Sequence, residues 1–386
     1  MNLIHIDENG LHLVFERKED GTCKLLHFSA LPFDEDRLLH QHDRSTGEIK
    51  VNTERYNLLE IMISGQDRPL ERHGNKYIST APGYRMQLVD FADKRNSLGR
   101  KLEIKMHDDV CGIDTVSHMQ FYDGSQAVRC WTDVTNVGGE PQGLEYVSSF
   151  ALTGIEKEGL LSTDDKMRVW YPHNGWQREM QWESYSFPQL GLALCQPEEV
   201  QRSSKVIGAT NIGNWSTKEY LPMGLLENTE TGSNLFWQIE HNGSWHWEIS
   251  DQMGSFYIQL SGPSETESHW WKNLQPGETF TTVPVCVGST IGKFDDAMGE
   301  LTKYRRVIRR KNDDNEKLCI IFNDYMNCLW ANPTTAKEIP LIDAAHKAGC
   351  EYFCVDAGWY AARFWWDNVG EWLPSYERFP NGLEEV

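Results

Sequence analysis

Short runs of alternating apolar and polar residues make up the chain from residue 1 to about residue 289. Alternation with a period of two is typical of strands that bury one face. The runs over 11–15, 60–63, 146–152 and 256–260 are examples, and turn pairs such as Asp20-Gly21 separate such runs about every ten positions. The pattern predicts a large antiparallel β domain in which two extended sheets pack face to face.

The pattern changes at Phe294, where apolar residues begin to recur with helical spacing. Asp295 and Asp296 open this segment, and arginines at positions 305, 306, 309 and 310 close it. Acidic residues near the N-terminus of a helix and basic residues near its C-terminus complement the helix dipole. We therefore predict a linker helix over residues 294–310.

Two apolar runs beyond this helix are typical of parallel strands. The run over residues 318–322 is continuous and is bounded by Asn323 and Asp324, as expected for a strand buried on both faces. Residues 352–355 form a second such run, which ends at Asp356. A carboxylate directly after a parallel strand is a common site of binding or catalysis in α/β barrels.

A helix is predicted between these two strands. Asn332 is expected to cap it and Pro333 to occupy its first position, and Gly349 follows its end. Pro340 removes one internal hydrogen bond, so the helix is expected to be kinked or to begin in two pieces. Strand, helix and strand within about 40 residues predict a βαβ unit.

The last residues, 370–386, hold a loop and only the beginning of a further helix. A parallel sheet of two strands would keep a bare apolar edge, which independent domains avoid. We therefore expect the sequence to be the N-terminal part of a longer protein.

Composition narrows the range of partners. The chain has 37 basic and 57 acidic residues, a formal net charge of −20, which argues against binding to nucleic acid or to anionic membranes. Fifteen tryptophans are present, and their flat rings either fill a large core or stack on sugar rings. Because of the net negative charge, a neutral or cationic partner is expected.

The cysteines and the N-terminus indicate the compartment. The nine cysteines are odd in number and include no Cys-x-x-Cys spacing, so neither a zinc site nor a disulfide framework is expected. The first ten residues contain Asp7 and Glu8 and lack the apolar segment of a signal peptide. A cytoplasmic protein with reduced thiols is the simplest prediction.

Several motifs in the last part of the chain resemble glycoside hydrolase family 36, the bacterial α-galactosidases and their relatives. In chain order they are Tyr304-Arg305-Arg306, Asp356 with Gly358-Trp359, Gly370-Glu371-Trp372, and Arg378-Phe379-Pro380-Asn381-Gly382-Leu383. The Pro-Gly-Glu-Thr-Phe core of residues 274–282 also looks like the end of that family's N-terminal β domain. The ordered set, rather than any single motif, carries the resemblance.

The resemblance implies a multidomain β plus α/β architecture. It places an N-terminal β-supersandwich over residues 1–290, a linker helix over 291–316, and the start of a truncated (β/α)8 TIM barrel over 317–386. It also implies a retaining glycoside hydrolase that acts on terminal α-linked galactosides such as raffinose-type oligosaccharides. Such an enzyme needs no cofactor or metal, and the full-length protein is expected to be a homo-oligomer.

Retaining glycosidases use two carboxylates roughly 5 Å apart, one as the nucleophile and one as the acid and base. In the family these residues come from later barrel strands. Both are therefore expected beyond Val386, and the 386-residue chain alone is expected to be inactive.

The resemblance implies that this chain contains the part of the active site that binds the sugar. Asp356 matches the first of two adjacent aspartates that bind galactose hydroxyls in the family, and Ala357 replaces the second. Tyr325 stands where the family has a tryptophan that stacks on the ring, and Asp324 is a candidate to restore the missing acid. The change at Ala357 leaves the preferred sugar open.

Three further candidates have structural alternatives. Trp359 and Trp366 lie on the loop after the second strand, where they either stack on a ligand or pack beneath the loop. Arg55 aligns with an arginine that, in the family, reaches the active site of a neighbouring subunit. Asp356 itself has the alternative role of capping the loop that follows it.

Two other functions remain open from the sequence. One is an α-N-acetylgalactosaminidase or another α-glycosidase on the same scaffold, which Ala357 allows. The other is a carbohydrate-binding or scaffold protein that has lost catalysis.

Overall fold

The computed structural model describes residues 2–38, 40–42, 49–51, 53–66, 76–194, 203–252 and 254–386. By their contacts the residues form two compact units, Met1–Ile308 and Arg309–Val386. The first unit contains the antiparallel sheets, and the second contains a parallel pair of strands.

Strands make up most of the first unit. In chain order they are β1 (Asn2–Glu8), β2 (Leu11–Arg17), β3 (Cys23–Ser29), β4 (His40–His42), β5 (Ile49–Val51), β6 (Ile61–Ile63), β7 (Gln87–Arg95), β8 (Arg100–Asp108), β9 (Ile113–Phe121), β10 (Ala127–Asn136), β11 (Gln142–Thr153), β12 (Met167–His173), β13 (Gln181–Ser186), β14 (Ile207–Asn211), β15 (Met223–Asn228), β16 (Ser233–Ile239), β17 (Trp245–Gln252), β18 (Ser255–Ser261), β19 (Lys272–Leu274), β20 (Thr279–Thr281) and β21 (Val285–Ile291). The helices of this unit are α1 (Glu35–Leu38), α2 (Ala81–Arg85), α3 (Thr163–Lys166), α4 (Glu265–Ser268) and α5 (Phe294–Ile308). The predicted strands over 11–15, 146–152 and 256–260 lie within β2, β11 and β18.

The described strands of the first unit form two large antiparallel sheets and two smaller ones. In the described part of the chain the larger has ten strands, with neighbours in the order β13-β12-β15-β16-β21-β10-β9-β8-β7 and with β20 also paired to β10. The other large sheet has six, in the order β14-β17-β18-β11-β19, with β6 also paired to β11. Strands β1 to β3 form a third sheet, and β4 pairs with β5.

Side chains of both large sheets share one hydrophobic core. Within β8, Leu102, Ile104 and Met106 are buried, and the residues between them are partly exposed, as period-two alternation predicts. The same core includes Ile249 of β17 and Leu260 of β18, which belong to the six-stranded sheet. The prediction of a large antiparallel β domain with packed sheets is confirmed.

Three tryptophans lie deep in this core. Trp237, Trp245 and Trp247 are 0 to 1% exposed, and the rings of Trp237 and Trp247 meet edge to face with centroids 5.2 Å apart. Trp176 and Trp271 are instead exposed. Core packing is therefore the role of the first three tryptophans.

Helix α5 is the predicted linker helix, and it ends at Ile308, two residues before the predicted end. Asp295 and Asp296 occupy its first turn, and its inward face buries Ala297, Leu301 and Tyr304. These side chains pack with residues of β15, β16 and β21. The helix is thus part of the first unit.

The second unit contains a strand–helix–strand segment. Strand β22 (Ile321–Asn323) runs parallel to β23 (Tyr352–Cys354), and helices α6 (Asp313–Lys317) and α7 (Thr335–Lys347) lie before and between them. In the register Ile321 faces Tyr352 and Asn323 faces Cys354. The predicted βαβ unit is therefore present.

The predicted burial of the first of these strands is wrong for the described chain. Leu318 is the left-handed C-terminal cap of α6, so the strand starts only at Ile321. Leu318 is 77% exposed and Ile321 is 62% exposed. Among the described residues the sheet has only two strands of three residues each, and so short a sheet buries little apolar surface.

The predicted start of the long helix is also wrong. Thr334, not Asn332, is the N-terminal cap of α7, because the Asn332 side chain accepts a hydrogen bond from Arg378. The helix is continuous through Pro340, which excludes the two-piece alternative. It ends as predicted, before Gly349 in a left-handed conformation.

Candidate functional site

The candidate site lies at the carboxyl ends of β22 and β23. Because Asn323 and Cys354 are paired as the last residues of the two parallel strands, the loops that follow both strands begin at the same edge. The Asn323 side-chain amide donates to Asp356 Oδ2 at 2.7 Å, and Asp324 Oδ1 accepts the backbone N–H of Asp356 at 2.8 Å. Asp356 is therefore held by two consecutive residues, the last of β22 and the first after it.

The second carboxylate oxygen of Asp356 is available to a ligand. Asp356 is exposed, and its Oδ1 accepts no hydrogen bond from any residue that the structure describes. A carboxylate fixed through one oxygen and open at the other is well suited to accept hydrogen bonds from hydroxyl groups. The role of Asp356 in binding a sugar stays a prediction.

Aromatic side chains lie on the segments that follow the two strands. Tyr325 is half-buried, and its ring centroid lies 5.9 Å from that of Trp330 and 6.4 Å from that of Trp365. Trp366 is 61% exposed and meets Trp365 edge to face at 4.6 Å. We call Tyr325, Trp330, Trp365 and Trp366 the aromatic rim. Exposed ring faces of this kind are suited to stacking against a sugar ring.

Trp359 packs within its own loop. Its ring centroid lies 5.3 Å from that of Tyr360 and 6.3 Å from that of Trp372, and its carbonyl accepts the N–H of Ser375 at 2.9 Å. These contacts favour the packing role that the sequence left open. A contact between Trp359 and sugar stays a prediction.

Gly358 permits the two loops to approach each other backbone to backbone. Its φ is +95°, and a Cβ atom at this position would lie 2.2 Å from the carbonyl oxygen of Ala331. Ala331 belongs to the loop after β22 and itself has a φ of +58°. The Gly-Trp pair of the sequence motif therefore has a steric reason for its glycine.

Arg378 ties the loops of the site together, a role that the sequence analysis missed. It is 8% exposed, and its guanidinium donates to the carbonyls of Ala361, Pro333 and Arg363 and to the side chain of Asn332. The bonds to Arg363 and Asn332 measure 2.6 and 2.7 Å. The Arg-Phe-Pro motif was the only sequence signal for this role. The hydrogen-bond partners of Arg378 lie 15 to 46 residues away in the chain.

Asp324 lies beneath the site and faces a second buried acid. Asp324 is 1% exposed and Glu338, in the first turn of α7, is 0% exposed. Asp324 Oδ2 and both carboxylate oxygens of Glu338 are buried without a hydrogen-bond donor among the described residues. Burial, together with the neighbouring Asp324 carboxylate, raises the pKa of Glu338 to about 8.

Arg55 lies in the first unit, whereas the other five candidate residues lie in the second. It is 8% exposed, and its guanidinium carbon lies 4.9 Å from the ring centroid of Tyr84. A cation over an aromatic face is a favourable contact within the β domain. Its predicted reach into a neighbouring subunit stays a prediction.

Two kinds of feature are missing from the described part of the chain. No group of three or more histidine, cysteine or acidic side chains is arranged to hold a metal ion. Over the same residues, no helix has both the length and the apolar character needed to cross a membrane. The site instead offers a carboxylate acceptor, an amide and aromatic faces, which are groups for binding hydroxylated ligands.

Comparisons with curated proteins give related sequences. α-Galactosidase 1 of Pediococcus pentosaceus is 28% identical over 171 residues, which are 42% of this chain and 22% of that protein. α-Galactosidase Mel36A of Lactobacillus acidophilus is 28% identical over 151 residues, which are 38% of this chain and 20% of that protein. No family model matches the chain.

Comparisons with solved structures extend over the whole chain. The α-galactosidase from Lactobacillus brevis superposes with a TM-score of 0.72 at 13% identity, covering 99% of this chain and 52% of that one. The family 36 α-galactosidase AgaA from Geobacillus stearothermophilus gives 0.72 at 15% identity, covering 99% and 54%. The chain thus spans about half the length of these solved relatives, and its resemblance to family 36 α-galactosidases is confirmed, with a shared fold.

Proposed function

We propose that this chain forms the β domain and the sugar-binding part of the active site of a retaining α-galactosidase-like glycoside hydrolase. The observation that carries the proposal is the position of Asp356 at the ends of the two strands, where it is fixed through one oxygen and open at the other. The loops that follow these strands carry the aromatic rim. A sugar bound there would place its hydroxyls on Asp356 and a ring face on Tyr325.

In this proposal β22, α7 and β23 are the first elements of a (β/α)8 barrel. Support comes from their parallel register, from the carboxylate at a strand end, and from solved relatives that are about twice as long. The exposed apolar residues of β22 would then be covered by further barrel strands. The nucleophile and the acid/base would come from those strands, beyond the 386 residues.

The proposed substrates are terminal α-linked galactosides of the raffinose type. Support comes from variants of AgaA whose structures were solved in complex with raffinose and with stachyose. Ala357 leaves Asp356 without a second carboxylate beside it, which favours testing other α-glycosides as well. A homo-oligomeric assembly and a cytoplasmic location complete the proposal.

The function is tested by hydrolysis of nitrophenyl α-galactoside, α-N-acetylgalactosaminide and α-glucoside. We expect a protein that continues this chain through the remaining barrel strands to cleave the α-galactoside with the highest kcat/KM. We expect the 386-residue chain to release no nitrophenol above a mock preparation from the same host. Preference for another glycoside would reassign the sugar, and turnover by the 386-residue chain would contradict the proposed position of the catalytic pair.

A further inference from the structure

Two buried acidic side chains, Asp324 and Glu338, face each other beneath the candidate site. Three of their four carboxylate oxygens have no donor among the described residues, and the fourth, Asp324 Oδ1, accepts the N–H of Asp356. Asp324 is 1% exposed and Glu338 is 0% exposed. Ionised carboxylates are only acceptors, so two of them facing each other leave every one of those three oxygens unsatisfied.

Such an arrangement is stable only when the pair holds a proton. Desolvation penalises each buried charge, and like charges at close range penalise each other. Among the described residues, the other titratable groups near the pair are Lys337 on α7, Cys354 at the end of β23 and Asp356, whose N–H bonds to Asp324. Lys337 favours the ionised form of Glu338, but burial and Asp324 outweigh it.

We propose that Glu338 keeps its proton at neutral pH and donates it to Asp324 Oδ2, so that this acid pair positions Asp356 through the bond between Asp324 Oδ1 and the Asp356 N–H. The second half of this inference rests on the proposed function, because it makes Asp324 a positioning residue for sugar binding. Asp324 then acts through Asp356 rather than by contacting the ligand. This differs from the sequence-based idea that Asp324 replaces the missing sugar-binding acid.

The shared proton links folding to pH. The pKa of Glu338 is about 8 in the folded chain and ordinarily 4.5, so the folded state retains a proton that the unfolded chain releases between these values. The stability contributed by this proton is fully present below about pH 4.5 and is lost as the pH rises through about 8. The second unit should therefore become less stable on the alkaline side of neutrality.

Glu338→Gln is the direct test, because an amide N–H can replace the shared proton and cannot titrate. In infrared difference spectra at pH 6, we expect the native 386-residue chain to show the carbonyl stretch of a buried protonated acid that Glu338→Gln lacks. The band should disappear from the native chain above about pH 8. Glu384→Gln, at an exposed site, should keep the band. If the native chain showed no such band beyond those that remain in Glu338→Gln, the proposal that Asp324 and Glu338 share a proton would be overturned.

Sugar affinity tests the positioning role separately. Asp324→Asn keeps an oxygen for the Asp356 N–H and should leave the affinity for methyl α-galactoside within about twofold, whereas Asp324→Ala should weaken it at least roughly tenfold. Equal affinities of these two variants would overturn the positioning role, as would a native chain that binds no sugar. The infrared result stands in either case, so failure of the proposed function is distinguished from failure of the acid pair.

Discussion

Replacing Gly358 by alanine should destabilise the second unit by about 4 kcal/mol, one of the largest effects expected from a single methyl group here. The new Cβ would lie 2.2 Å from the Ala331 carbonyl oxygen and 3.1 Å from Cδ of Pro333. The first is a backbone atom and the second belongs to a rigid proline ring, so neither can move aside at low cost. Amide hydrogen exchange read by mass spectrometry should show the loss in peptides from residues 319–386, with peptides of the first unit unchanged.

Gly370→Ala is the matched control for this prediction. Gly370 also has a positive φ, +104°, but no atom lies within 4 Å of its added Cβ. Its substitution should therefore cost only the backbone strain, about 1–2 kcal/mol. If both variants lost the same protection from hydrogen exchange, the close approach of the two loops at Gly358 would not be the cause of the loss.

Removing the guanidinium of Arg378 should have the second large effect. Arg378→Met keeps most of the buried side-chain volume but removes the donor for three carbonyls and the Asn332 side chain. Hydrogen bonds to a charged group contribute more than neutral ones, and their buried acceptors are left unsatisfied. Several buried acceptors lose their donor at once, so we expect a loss of about 3–5 kcal/mol in the free energy of unfolding of the second unit, measured by the same exchange experiment.

Arg363→Met provides the comparison, because Arg363 is exposed and only its backbone carbonyl takes part in the Arg378 contacts. Its substitution should change stability by less than about 0.5 kcal/mol. Arg378→Lys should recover only part of the loss, since one ammonium group cannot reach acceptors spread around a planar guanidinium. Full stability in Arg378→Met would refute the role of Arg378 in joining the loops.

Much of the fold could be predicted because it depends on local pattern. The alternation along the strands and the acidic and basic ends of α5 each involve residues close together in the chain, and β2, β11, β18 and α5 formed where predicted. The parallel strands were also located, since a short, continuous apolar run bounded by polar residues is typical of a strand in a parallel sheet.

The two wrong predictions in the second unit have different physical causes. Asn332 has the right side chain for a helix cap, but Arg378, 46 residues later, uses it instead. Leu318 belongs to an apolar run, but it ends α6 in a left-handed conformation. The first outcome depends on a hydrogen-bond partner far away in the chain, and the second on a left-handed backbone conformation that an apolar run does not indicate.

The candidate site was predicted in part. Asp356 and Tyr325 follow the two strands as expected from parallel pairing, and the structure brings the loops that carry them together. The sequence does not point to Glu338, because its importance arises only when α7 packs its first turn against Asp324. Arg378 was noted as part of a motif, but its partners could not be named from the sequence.

The most direct test of the account is the binding of methyl α-galactoside to the 386-residue chain, followed by saturation-transfer NMR. The native chain should bind the sugar saturably, and Asp356→Ala should weaken binding at least roughly tenfold, because it removes the acceptor for the sugar hydroxyls. Asp367→Ala, at an exposed acid beside Trp366, should leave the affinity unchanged. Equal affinity in the native chain and Asp356→Ala, or no binding by the native chain, would contradict the claim that Asp356 is the sugar-binding residue of this site.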